Sequence, residues 1–163
     1  MDRTYGLRGQ HLPRFRDPMT ALMWGARIYV AHAASGEPAP PVLRLLFQQV
    51  LPADVQPALI EVLDFLIYHS TVPLVGRRGT SDGVAPHERA LADAIRAIQA
   101  GSLVTYCVAM EQVLVAEDAI SIGPAIQLIA SALQRLEHRG FVQSANVVSP
   151  AAFAWQSRLA SVH

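Results

Sequence analysis

The sequence predicts an all-α fold, a compact six- or seven-helix bundle with a long central loop. Apolar residues recur at spacings of three and four in segment after segment, as the buried face of a helix requires. Prolines and glycines fall where such segments begin and end. At 163 residues the chain suits a single domain, because a body of that size buries about two-thirds of the surface its unfolded chain exposes. We divide it into an irregular arginine-rich arm over residues 1–17 and one helical domain over 18–163.

The arm carries Arg3, Arg8, Arg14 and Arg16 against Asp2 and Asp17, and Gly6, Gly9 and Pro13 discourage a long helix there. Pro18 suits a first helical turn, and Leu22, Met23, Ala26, Ile28, Tyr29 and Val30 extend a broad apolar face to about Ala34. The run Ser35-Gly-Glu-Pro-Ala-Pro-Pro41 ends that helix, since proline denies backbone donors and favours extended geometry. A short helix is expected from about Val42 to Val50. Asp54 is placed to cap the next, which carries Leu59, Val62, Leu63 and Leu66 on its core face and runs to about His69, with Glu61 and Asp64 on another face.

Residues 71–84 contain three glycines and no helical period, so they form the central loop. Pro86, Glu88 in the first turn, the stripe Leu91, Ala94, Ile95 and Ile98, and Gly101 past the end mark the clearest helix of the chain. Ser102 caps a following apolar helix to about Val115. Glu117-Asp118 read as a turn, and Pro124 as the start of a long helix with Ile126, Ile129, Leu133 and Leu136 at helical spacing, stopped by Gly140. Phe141-Val142 and Val147-Val148 are expected to pair briefly, and residues 151–161 to form a terminal helix.

Composition narrows the function classes. The chain is 52% hydrophobic and 16% charged, against an ordinary charged fraction nearer ~25%. That leaves little charge to cover the exterior, so some apolar surface is expected to meet a partner, either another copy or a different protein. Thirteen basic and thirteen acidic residues cancel, which removes the simplest electrostatic case for non-specific binding to nucleic acid or an anionic membrane. Every basic side chain is Arg and Asn occurs once, at Asn146; Lys and Asn use A-rich codons, so a GC-rich, bacterial genome is expected. The N-terminal residues lack a secretory apolar region. No apolar run reaches the ~20 residues of a membrane span, so a soluble cytoplasmic protein is expected.

The lone Cys107 sits in the apolar run 103–110 and reads as a buried, inert thiol. Six histidines are present, yet no His-x-x-x-His, Glu-x-x-His or paired-Cys motif occurs, so neither a metal nor another cofactor is expected. His69, His87, Glu111 and Cys107 fall into no arrangement that a nucleophile or acid–base pair needs, and His87, in a helical first turn, reads as a surface residue. The loop Gly76-Arg-Arg-Gly-Thr-Ser81 holds a candidate anion site, in which Arg77, Arg78, Thr80 and Ser81 supply donors beside flexible glycines.

The segment from Ile126, ending Leu-Glu-His-Arg-Gly-Phe-Val142, resembles the recognition helix and wing entry of winged helix-turn-helix regulators. That resemblance implies DNA contacts from Gln127, Ser131, Gln134 and Arg135, with the helix in the major groove. The same apolar spacing is that of a core helix. Weighed together, these readings point first to a non-enzymatic, self-associating protein-interaction or regulatory module. A nucleic-acid-binding regulator and a small-ligand or anion-binding helical protein are the alternatives.

Overall fold

A computed structural model describes residues 14–74 and 84–141. It contains six helices, α1 (Pro18–Ala34), α2 (Pro41–Val50), α3 (Gln56–His69), α4 (Pro86–Gln99), α5 (Leu103–Met110) and α6 (Ala116–Arg139), and no strand among the described residues. Most of the expected arm, residues 75–83 of the expected central loop, the expected strand pair beyond Phe141 and the expected terminal helix lie outside those residues.

The first helix begins where Pro18 predicts, and Asp17 secures it. One carboxylate oxygen of Asp17 accepts from the backbone NH of Thr20 at 2.8 Å and the other from its hydroxyl at 2.7 Å, satisfying a donor that the helix start leaves open. At the far end of α4, Gly101 adopts φ +74°. Its NH bonds to the Ile98 carbonyl, and the Ser102 NH to that of Ala97, a closure that needs left-handed backbone and hence glycine. Ser102 then accepts from the NH of Thr105 and starts α5.

Three boundaries differ from those expected. Asp54 is exposed and caps nothing; α3 starts after a backbone turn from Pro52, with the Gln56 side-chain amide donating to the Leu51 carbonyl. α5 ends at Met110 rather than near Val115. Val113 and Leu114 are buried, their NH groups close a turn onto Met110, and the Val113 carbonyl accepts from the NH of Thr71 at 2.8 Å. Tertiary burial there outweighs continuation of the helix. α6 starts at Ala116, so Glu117 and Asp118 occupy its first turn, where carboxylates complement the helix dipole. Pro124 lies inside α6. It withholds a bond from the Ile120 carbonyl, but both residues stand on the exposed side of the helix, where a carbonyl is not costly to leave open.

α6 is the centre of the bundle and touches α1, α3, α4 and α5. Its face Ile126, Ile129 and Leu133 is fully buried, as are Leu59, Val62, Leu63 and Leu66 of α3. Leu136 is half-buried. α2 lays Leu43, Leu46, Phe47 and Val50 toward the core, at helical spacing, and packs on α1. That contact is close because α1 offers Gly25: a Cβ there would lie 2.5 Å from Cε1 of Phe47 and 3.0 Å from Cδ2 of Leu46.

Leu133→Ala is expected to cost about 2–5 kcal/mol, read from the urea unfolding midpoint, because a fully buried leucine leaves a cavity. Gly25→Ala is expected to destabilise by up to about 2 kcal/mol, since overpacking of about 1–3 kcal/mol outweighs the gain of about 1 kcal/mol in helix propensity. In a Phe47→Leu background the same change becomes neutral or stabilising. A stabilising effect with Phe47 in place would show that α1 and α2 stand further apart.

Candidate functional site

The N-terminal turn of α4 packs against α1 and buries two polar side chains, His87 and Glu88, each with 3% of its surface exposed. Glu88 meets Arg27 of α1 in a two-pronged contact: Nε donates to Oε1 at 2.8 Å and Nη2 to Oε2 at 2.6 Å. Hydrogen bonding to Glu88 raises the guanidinium pKa against the opposing effect of burial, so Arg27 stays charged. This pair joins residues 61 apart in sequence.

The pair forms the floor of a groove of about 510 Å³ between α1 and α4. Met19, Met23 and Trp24 of α1, with Phe15 and Val84, make its apolar wall. Phe15 turns back onto Trp24 with ring centroids 5.6 Å apart. Arg89, Asp93 and Arg96 of α4 form the rim, and Asp93 pairs with Arg96 at 3.5 Å.

His87 is not the surface residue that its first-turn position predicts. Neither ring nitrogen has a hydrogen-bond partner among the described residues. Burial pushes the imidazole pKa below the ordinary value and outweighs the attraction of Glu88, while Arg27 adds to the depression. His87 is therefore a neutral, unsatisfied group held in place by the packing of α4.

A second feature is a run of exposed apolar side chains on α5, on α6 and at the turn between them. Six of the eight large hydrophobic side chains exposed among the described residues are Leu103, Val104, Val108, Val115, Ile120 and Leu128. Tyr106 fixes the two helices together: its hydroxyl donates to the Ala119 carbonyl and its ring covers Gly123. Burial, with a smaller contribution from Cys107, raises the phenol pKa to about 12. Cys107 is half-buried rather than buried, because α5 turns Tyr106, Ala109 and Met110 inward and leaves the rest of its surface outside.

The other candidate residues stay apart. His69 places Nδ1 3.2 Å from Oδ2 of Asp118 and stacks on Phe65 with centroids 4.1 Å apart, tying the end of α3 to the start of α6. Glu111 is the exposed C-cap of α5. No hydrogen bond links His69, His87, Glu111 or Cys107 to one another among the described residues, nor do three His, Cys, Asp or Glu side chains there converge as a metal site would require. Arg77, Arg78, Thr80 and Ser81 lie outside the described residues. Gln127, Ser131, Gln134 and Arg135 do share one side of α6, Ser131 half-buried and the others exposed. No described helix is long and apolar enough to cross a membrane. Compared with protein families, curated proteins and solved structures, the chain matches none of them.

Of these features the sequence reading misses the Arg27–Glu88 pair and the burial of His87. The signal is faint: Glu88 sits where a dipole-stabilising carboxylate belongs, and nothing local links it to Arg27. The pH dependence of stability tests this environment. Because the His87 pKa is lowered by folding, the unfolded chain takes up that proton first, as pH falls through about 6.5. Stability present above that pH is then lost as pH drops toward the lower folded value. The urea midpoint of the native chain is expected to fall between about pH 7.5 and about pH 5, with a smaller fall in His87→Leu. Identical pH profiles would show that His87 is solvated.

Proposed function

We propose that this chain is a non-enzymatic protein-interaction module that self-associates through the apolar face of α5 and α6. The observation that carries this reading is the concentration of exposed Leu, Val and Ile side chains between Leu103 and Leu128. Large contiguous apolar surface on a soluble body marks an interaction site. α5 itself contributes no charged residue to it, and exposed Glu111 and Glu117 flank the turn between the two helices. A two-fold arrangement uses the same face twice and closes on itself.

The alternative as a DNA-binding regulator draws support from the shared stripe Gln127, Ser131, Gln134 and Arg135. That stripe holds one guanidinium and runs beside exposed Leu128, while the first turn of α6 carries Glu117 and Asp118. A recognition helix approaches DNA with its N-terminal residues, and carboxylates there oppose phosphate. The chemistry of this face fits an apolar partner better. The anion-binding alternative rests on Arg77, Arg78, Thr80 and Ser81 alone.

Sedimentation equilibrium at micromolar concentration is expected to give a dimer mass. Val104→Glu together with Leu128→Glu is expected to weaken the dimer at least about tenfold, or about 1.4 kcal/mol, with the helical spectrum unchanged. A monomer mass throughout would refute self-association. A salt-dependent shift with duplex DNA, without self-association, would favour the regulator.

A further inference from the structure

We infer that the groove between α1 and α4 is a second docking surface, built to receive an acidic amphipathic helix of a different protein. Its residues on α1, from Met19 to Arg27, and on α4, from Glu88 to Arg96, each span eight positions, or about 12 Å along a helix axis. The groove thus follows its two helices for a little over two turns, the length over which an incoming helix sets apolar side chains at i, i+3 or i+4, and i+7. Two of its wall residues are methionines, whose unbranched side chains adapt to a partner's shape. Trp24 offers a rigid apolar surface beside them.

Charge identifies the partner. Arg27 and Glu88 neutralise each other on the floor, and Asp93 and Arg96 do so on the rim. Asp17 is engaged in capping α1. Arg89 has no ion pair among the described residues, and the exposed Arg14 and Arg16 are the chain neighbours of Phe15, which lines the groove. An apolar groove bordered by unpaired guanidinium groups matches an apolar stripe bordered by carboxylates, which arginine binds in two-pronged fashion. The chain itself supplies no such segment. Residues 142–163 contain no Asp or Glu, residues 1–13 hold Asp2 against Arg3 and Arg8, and residues 75–83 hold Asp82 against Arg77 and Arg78. A second copy does offer exposed Glu111 and Glu117, at the end of α5 and the start of α6, but those belong to the proposed self-association surface.

Trp24 lines the groove and is one of two tryptophans, so Trp155→Phe in the full chain makes it the sole reporter. The probe is a synthetic helical peptide of about four turns, with Leu at i, i+3 and i+7 and Glu on either side. A matched peptide with Lys in place of Glu is the control. The Glu peptide is expected to shift Trp24 emission to shorter wavelength in a saturable manner, at least about tenfold more tightly than the Lys peptide. That preference is expected to shrink between about 0.05 M and about 0.5 M salt. Arg16→Glu with Arg89→Glu, both at exposed positions, is expected to reverse the order of the two peptides while the unfolding midpoint stays put. The dimer-breaking pair Val104→Glu and Leu128→Glu is expected to leave peptide binding intact, which separates this site from the self-association face. No saturable response to the Glu peptide, or equal binding of the Lys peptide, would overturn the inference. So would loss of the dimer in Arg16→Glu with Arg89→Glu, which would assign the groove to a second copy.

Discussion

The contact between half-buried Arg27 and buried Glu88 is the constraint on which the α1–α4 half of this bundle depends. A carboxylate taken out of water must be matched closely, and here two donors of the half-buried Arg27 guanidinium meet both oxygens of buried Glu88. Removing Arg27 would leave the Glu88 carboxylate buried and unmatched, whereas Arg27 without Glu88 still reaches water, and replacing both with apolar residues is often neutral. Its contribution is therefore register more than net stability. It allows one docking of α4 on α1, and that docking drives His87 out of water and opens the groove along Met19, Met23 and Trp24. One contact thus organises an unsatisfied histidine and a shaped surface.

The low charged fraction explains why the remaining surface looks as it does. Of 26 charged residues, several have structural tasks: Asp17 caps α1, Glu88 holds Arg27, Asp64 accepts from the Tyr29 hydroxyl at 2.8 Å, and Asp118 holds His69. Burial and then the bond to Asp64 lift the Tyr29 phenol to about 12, so that bond keeps its proton at any physiological pH. Carboxylates used in this way do little to solvate the exterior. The deficit is concentrated on α5, which has no charge at all, and on the side of α6 that bears Ile120 and Leu128. Composition and exposed surface are two views of one shortage.

How much could be read from the chain follows from the range of the interactions involved. The limits of α1 and α4, the glycine closure at Gly101, the Ser102 cap and the inward faces of α3 and α6 depend on residues within a turn or two of each other, and each is legible in sequence. The early end of α5 is not, because burial of Val113 and Leu114 and the reach of Thr71 to Val113 across the fold decide it. Pro124 misleads for a related reason: a proline marks a helix start only when the carbonyl it deprives is costly to leave open, and here that carbonyl faces solvent. Glu117 and Asp118 then fit a first turn better than a connection. At the groove the failure is complete, since Arg27 and Glu88 are 61 residues apart and His87 carries no local sign of burial. Leu128, by contrast, is legible as the apolar residue off the buried stripe of α6, and it is exposed.

The two proposed surfaces differ in how they discriminate. Burial of Leu103, Val104, Ile120 and Leu128 is non-directional and rewards any apolar area that fits, so shape and the polar residues at the margin must set its register. Gln127, Ser131, Gln134 and Arg135 lie along that margin on α6 and are suited to the task, which gives the residues singled out by the regulator resemblance a role without DNA. In the groove the order is inverted: guanidinium groups at the mouth select the charge of the entrant, and methionine walls adapt to its side chains. Charge selection costs little at an exposed rim, where water solvates each arginine before the partner arrives. The same ion placed on the floor would have to be matched in advance, as Arg27 is by Glu88. A chain with few charges can therefore still be selective, provided it leaves its unpaired ones at the edge of an apolar surface.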